Sequence, residues 1–101
     1  MTEKTRTGAG WTFLTNHAHV LLCLAEDPNM RIRDLAIRIG ITERAVQRIL
    51  SELSDCGYVE KTRDGRTNTY VVNHTKPLKH PVESHRQISD LINLISPGES
   101  E

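Results

Sequence analysis

Gly40 separates two segments of helical periodicity, and this punctuation restricts the chain more than any other feature. Between Asp34 and Ile39, the residues Leu35, Ala36 and Ile39 share one helical face, and Gly40 follows where a helix terminus needs positive φ. Ile41-Thr42 forms the turn. Thr42 is then suited to cap a longer helix from Glu43 to Asp55, with Glu43 at the positive end of its dipole. Ala45, Val46, Ile49, Leu50 and Leu53 follow the helical repeat, and Gly57 closes the segment. A tight glycine-containing turn between two helices, the second longer, predicts a helix-turn-helix.

Two runs rich in Val, Thr and Tyr come next, Tyr58 to Arg63 and Arg66 to Val72, with Asp64-Gly65 between them. That dipeptide between strand-like runs is a strong hairpin signal and predicts a two-residue turn. The implied register sets Arg63 against Arg66, Lys61 against Asn68 and Val59 against Tyr70. All six fall on one face, because side chains alternate along a strand, so Val59 and Tyr70 anchor the base while the polar residues decorate the tip.

The remaining chain supplies terminal elements. Residues 1–10 read as a flexible tail, and Thr15 as the N-cap of a helix over Asn16 to Ala25 that stops before Asp27-Pro28. This helix is apolar on more than one side, which predicts packing on its own domain and on a partner. Met30-Arg31-Ile32 alternates and reads as a short strand or an extended lead-in. Two prolines break residues 74–81, a connector to a last helix from Val82 to Ile95 with Ile88, Leu91, Ile92 and Ile95 at spacings of three and four. Residues 96–101 read as a disordered tail. The expected fold is mainly α with a small β-hairpin (α+β), its central domain covering residues 11–73.

A single domain of 101 residues buries a modest share of its surface, so association of two copies is an economical way to enlarge the core. The expected dimer interface takes in Trp11, Leu14, Val20, Leu21 and Leu24 from the N-terminal part, and Ile88, Leu91, Ile92 and Ile95 from the last helix. The longest apolar run, Val20 to Ala25, is too short to cross a bilayer, and the polar start lacks a secretory pattern. The expected location is therefore cytoplasmic, without membrane contact. Cys23 and Cys56 sit among apolar neighbours without CxxC spacing and read as reduced core residues.

Lysine plus arginine balance aspartate plus glutamate at 13 each, so net charge alone argues against a polyanion partner. Its distribution argues otherwise. From Arg31 to Tyr70 there are eight basic against six acidic residues, and phosphate binding depends on which of them share a face. With the apolar face of the second helix assigned, Arg44, Gln47, Arg48 and Ser51 fall at i, i+3, i+4 and i+7, one outward stripe. Arginine pairs with guanine edges, glutamine with adenine, and serine with several acceptors. An isolated stripe of this kind reads better as an ordinary solvated helix face. The arginines flanking Asp64-Gly65 shift the balance, because like charges at a hairpin tip are relieved by a polyanion and suit a narrow minor groove. The candidate DNA contacts are Arg44, Gln47, Arg48 and Ser51 on bases, Lys61, Arg63, Arg66 and Asn68 in the hairpin groove, and Thr42, Arg31 and Arg33 on the backbone.

The run from Arg33 to Lys61, with Leu35-Ala36, Gly40, Val46, Leu50, Leu53 and Gly57-Tyr58-Val59-Glu60-Lys61, followed by the Asp-Gly hairpin, resembles the winged helix-turn-helix of the MarR and ArsR regulators. The resemblance covers about Thr15 to Val72. It implies a homodimeric transcription regulator on double-stranded DNA carrying a pseudo-palindromic operator, with terminal helices at the dimer interface; it would act as a repressor or an activator, the repressor being the favoured reading. Two alternatives stay open: a winged helix used for protein interaction, motivated by the neutral charge and apolar terminal helices, and an ArsR-like sensor of metal or redox state. No cofactor, metal set or small-molecule inducer is assigned. His17 and His19 point to different sides of their helix, and His80 and His85 lack i, i+4 spacing, although His74, His80 and His85 resemble ArsR-type sensors in that they would converge only across a dimer. The chain offers no paired carboxylates, nucleophile–base set or phosphate loop, so an enzyme is not expected.

Overall fold

A computed structural model describes residues 10–95, in the order α1 (Asn16–Glu26), α2 (Ile32–Ile39), α3 (Glu43–Asp55), β1 (Val59–Asp64), β2 (Thr67–Val72) and α4 (Ile88–Ile95). The tails expected at residues 1–9 and 96–101 lie outside the described residues. Each central helix carries a chemical reason for its limits. The Thr15 hydroxyl accepts from the Ala18 amide at 3.3 Å, and the Thr42 hydroxyl accepts from the Ala45 amide at 3.0 Å, so each satisfies one orphan donor of the first turn. Helix α2 ends in left-handed Gly40 (φ 85), where the amides of Gly40 and Ile41 both donate to the Ala36 carbonyl at 2.8 and 3.0 Å. Helix α3 ends with the paired bonds of a Schellman turn, Gly57 amide to Ser54 carbonyl and Tyr58 amide to Leu53 carbonyl. That turn delivers the chain directly into β1.

One core unites these elements. Val20, Leu21, Cys23 and Leu24 of α1 and Leu35 and Ala36 of α2 close with Val46, Ile49, Leu50 and Leu53 of α3 around the hairpin base residues Tyr58, Val59, Tyr70 and Val72. Ile88 of α4 joins the same cluster, with Leu78 and Ile92 packed against it. Among the described residues no polar or charged side chain is buried there, so apolar burial carries the stabilisation, at about 1.5–3 kcal/mol for each fully buried side chain.

Four expectations need correction. Helix α2 starts at Ile32 rather than Asp34, so Arg31 is its N-cap and only the stretch before Ile32 is extended. The interactions that a strand there would supply come from the α1–α2 loop: the Tyr70 amide donates to the Pro28 carbonyl at 3.0 Å, and the Thr69 hydroxyl donates to Asn29 Oδ1 at 2.8 Å. The hairpin register is Val59↔Val72, Lys61↔Tyr70, Arg63↔Asn68 and Asp64↔Thr67, which makes the turn Gly65-Arg66. Gly65 takes φ 65 as the first of the two turn residues, a turn chemistry in which glycine leads the loop instead of closing it.

The last helix begins at Ile88, not Val82. Residues 81–87 form turns instead, with the Val82 amide donating to His80 Nδ1 and the Ser84 hydroxyl to the Pro81 carbonyl. The backbone there is already engaged in a return pairing: the Leu78 amide donates to the Arg86 carbonyl and the Ile88 amide to the Lys76 carbonyl, each at 2.9 Å, around a Pro77↔Gln87 bridge. Asp90 then accepts from the Gln87 amide at 2.9 Å and starts the helix as the second half of a capping box. Finally, Val20, Leu21, Leu24 and Ile88, expected at a dimer interface, are buried inside this chain. Of that set, Trp11 and Ile95 are exposed, and Leu14, Leu91 and Ile92 are half-buried.

Gly40 has open space where a Cβ would stand, so Gly40→Ala tests backbone conformation alone. It should cost about 1–2 kcal/mol, lowering the urea midpoint without changing the slope. Leu35→Ala, at a fully buried position, should cost about 2–5 kcal/mol in the same titration.

Candidate nucleic-acid interface

Burial of one face of α3 dictates what its other face presents. Val46, Ile49, Leu50 and Leu53 are buried, and Arg44, Gln47, Arg48 and Ser51 are exposed along a single stripe, as the spacing predicts. Beside this stripe the hairpin rises from the core. Gln47, Ser51 and Asp55 of α3 line a shared cleft with Lys61, Asn68 and Tyr70 of the hairpin, so helix and hairpin bound one continuous surface. Lys61 lies opposite Tyr70, low on the hairpin, and faces this cleft rather than the tip. Asn68 is half-buried, and its Oδ1 is a buried acceptor without a hydrogen-bond partner among the described residues.

The tip differs from the sequence expectation. Arg63 faces Asn68, not Arg66, and its Nε donates to the Gly65 carbonyl at 3.1 Å. Arg66 occupies the turn itself and is exposed. Both cations therefore sit at the tip, but without the direct opposition inferred from the Asp-Gly register. Arg31 and Arg33 are exposed at the start of α2, and Thr42, with its oxygen already accepting from Ala45, still has a hydroxyl proton to donate.

Sequence reasoning missed a contact on α3. Glu52 Oε1 lies 2.6 Å from His17 Nε2 and 3.5 Å from Arg48 Nη1. The His17 hydrogen bond holds the Glu52 carboxyl below the usual carboxylate range; partial desolvation opposes this and the Arg48 charge assists it. Only half of this arrangement was readable, as the i, i+4 pair Arg48 and Glu52; the approach of His17 from α1 is tertiary.

On the flank of α3 that carries Glu52, an open cleft of about 500 Å³ is lined by Leu14, Leu53, Leu78 and Leu91, with His17, Glu52, Cys56, Lys79 and Glu83 among its polar groups. Cys56 is exposed and accepts from Lys79 Nζ at 3.7 Å, a correction to the core placement read from its neighbours; Cys23 is buried, which pushes its thiol up. His74, His80 and His85 are exposed, and no group of three or more His, Cys, Asp or Glu side chains converges among the described residues.

The fold these features define is a winged helix-turn-helix. Residues 15–60 match the family described as winged helix-turn-helix DNA-binding. Among solved structures, the chain is similar to the zinc-dependent MarR family transcriptional regulator AdcR in its Zn(II)-bound state, with 27% identity and a TM-score of 0.51 over 66% of this chain and 47% of that one. A variant of ZitR from Lactococcus lactis shares the fold at 20% identity and a TM-score of 0.53, over 71% of this chain and 49% of that one. No curated protein matches the sequence significantly. The chain spans about half the length of the solved structures it matches. These likenesses agree with the winged helix-turn-helix fold. No helix among the described residues is long and apolar enough to cross a membrane.

The register carries its own test. The Tyr70 amide is used outside the hairpin, so Lys61 and Tyr70 form a non-hydrogen-bonded pair, and so do Arg63 and Asn68 two residues along. Side chains approach most closely in such pairs. Arg63→Cys with Asn68→Cys should therefore form a disulfide on mild oxidation, seen by mass spectrometry of proteolytic fragments, and Arg63→Cys with Arg66→Cys should do so far less readily.

Proposed function

We propose that the protein is a transcription regulator that binds duplex DNA as a homodimer and represses by occupying promoter sequence. The observation that carries this reading is the single surface formed by the exposed α3 stripe and the arginine-bearing hairpin. An α-helix fits the major groove, and Arg44, Gln47 and Arg48 have the side chains that pair with purine edges, with Ser51 in support. The hairpin tip then runs along the adjacent minor groove, where Arg63 and Arg66 meet concentrated negative potential. Lys61 and Asn68 line the intervening groove, and Thr42, Arg31 and Arg33 meet phosphates, which set register without reading sequence.

A homodimer is supported by apolar surface that the chain leaves uncovered at its ends. Trp11 is 64% exposed, Phe13 92% and Leu94 78%, and Ile95 lies beside Leu94. A second copy covering this surface places two α3 helices on one face of a pseudo-palindromic operator. Such a protein acts in the cytoplasm, on chromosomal DNA.

Selection from a random duplex pool tests the reading. The expected product is a preferred sequence with two half-sites about one helical turn apart. Arg48→Ala should cost about 1–3 kcal/mol on that sequence and relax preference at one position. Arg63→Ala should weaken binding to every duplex and lower the salt slope by about 1. A wild-type chain that retards no duplex at low salt overturns the reading and favours a winged helix used for protein contact.

A further inference from the structure

The proposed base-reading stripe contains one residue whose neighbours reach beyond it. Arg48 Nη1 approaches Glu52 Oε1 at 3.5 Å, the outer limit of hydrogen bonding, and the same oxygen lies 2.6 Å from His17 Nε2. His17 projects from α1, so the carboxylate is held by a helix other than its own. We propose that Glu52 is a positioning residue that orients the Arg48 guanidinium for base recognition, with His17 of α1 fixing the carboxylate. The inference rests on the DNA-binding reading above.

A guanidinium on a flexible stem discriminates a guanine only when its plane is fixed, because recognition uses two parallel N–H donors. One nitrogen engaged by Glu52 leaves the others of the fork to present to a base edge. Glu52 itself is about half exposed and on a side chain with many rotamers, and a carboxylate restrained only by Arg48 would move with it. The short contact to His17 removes that freedom. Lys79, Glu83 and Cys56 face the same cleft as His17 and Glu52, while Arg48 is the cation paired with Glu52 on the DNA side.

A buttress and a simple charge effect act on different quantities. Near phosphates a carboxylate opposes binding, so Glu52→Gln acting through charge alone tightens binding to all duplexes by one common factor. As a buttress, Glu52 sets the ratio between matched and mismatched duplexes. The experiment measures that ratio at the base pair whose preference Arg48→Ala removes, together with affinity for bulk DNA at low salt, for wild type, Glu52→Gln, His17→Ala and the double variant.

Expected are a two- to fivefold fall in discrimination for each single variant, in keeping with an exposed ion pair, unweakened bulk binding, and a double variant no worse than Glu52→Gln. His17→Gln, which retains a donor, should restore part of the ratio. Unchanged discrimination in Glu52→Gln overturns the proposal, as do multiplicative losses in the double variant, or a parallel loss of matched, mismatched and bulk binding. Each of those results leaves DNA binding by the wild type intact. A wild type without a preferred duplex instead overturns the DNA-binding reading and the buttress together.

Discussion

Burial of the Val46, Ile49, Leu50 and Leu53 face of α3 is the constraint on which the other features depend. Because α3 is a single amphipathic helix, fixing that face against Val20 and Leu24 of α1 and Leu35 of α2 fixes the azimuth of every residue opposite. Arg44, Gln47, Arg48 and Ser51 point outward for that reason and not through contacts of their own. A change that rotated α3 by one residue would bury part of the stripe and expose part of the core. The placement of the polar residues is thus set by apolar burial, about 1.5–3 kcal/mol per side chain, which far exceeds what an exposed ion pair supplies, about 0–1 kcal/mol.

The hairpin depends on the same core but is held differently. A two-stranded ribbon is marginal by itself. Its base is buried through Tyr58, Val59, Tyr70 and Val72, and its edge is pinned to the α1–α2 loop by the Tyr70 amide and the Thr69 hydroxyl. On the other side, Tyr58 donates its hydroxyl to the Pro77 carbonyl at 2.6 Å, and Lys76 lies over its ring. Stabilisation is concentrated at the base. The outer part, with Arg63, Gly65 and Arg66, is exposed.

What could be read from the sequence follows from the range of the interactions involved. Helices α1 and α3 and the turn at Gly40 were legible because caps, periodicity and left-handed glycine are local and agree with one another. The register of the hairpin was not, since Asp64-Gly65 and Gly65-Arg66 are both chemically sound turns and the choice is made by the base. The observed pairing sets Val59 against Val72, with Tyr70 also buried, whereas the Asp-Gly register leaves Val72 without a partner on that face. The start of α4 was misread for a different reason. Its four periodic apolar residues all lie within Ile88–Ile95, and nothing periodic supported a helix over residues 82–87. Within the site, the stripe was legible from one helix, but the approach of His17 to Glu52 joins residues 35 apart and has no local signature.

The neutral total charge takes on a different meaning once the ion pairs are placed. Glu26 accepts from Arg38 at 2.8 Å, and Glu52 is shared by His17 and Arg48, so part of the acidic count is spent within the protein. Arg38 is thereby held by its own domain, whereas Arg44 on α3 has no carboxylate within ion-pair distance among the described residues. A chain with no net charge can in this way present an unpaired guanidinium on an exposed helix face. Long-range steering by net charge is then weak, and affinity has to come from the contact surface itself. Under the proposed DNA-binding reading, the orientation of each guanidinium then matters more than the number of them, which is the role proposed for the carboxylate beside Arg48.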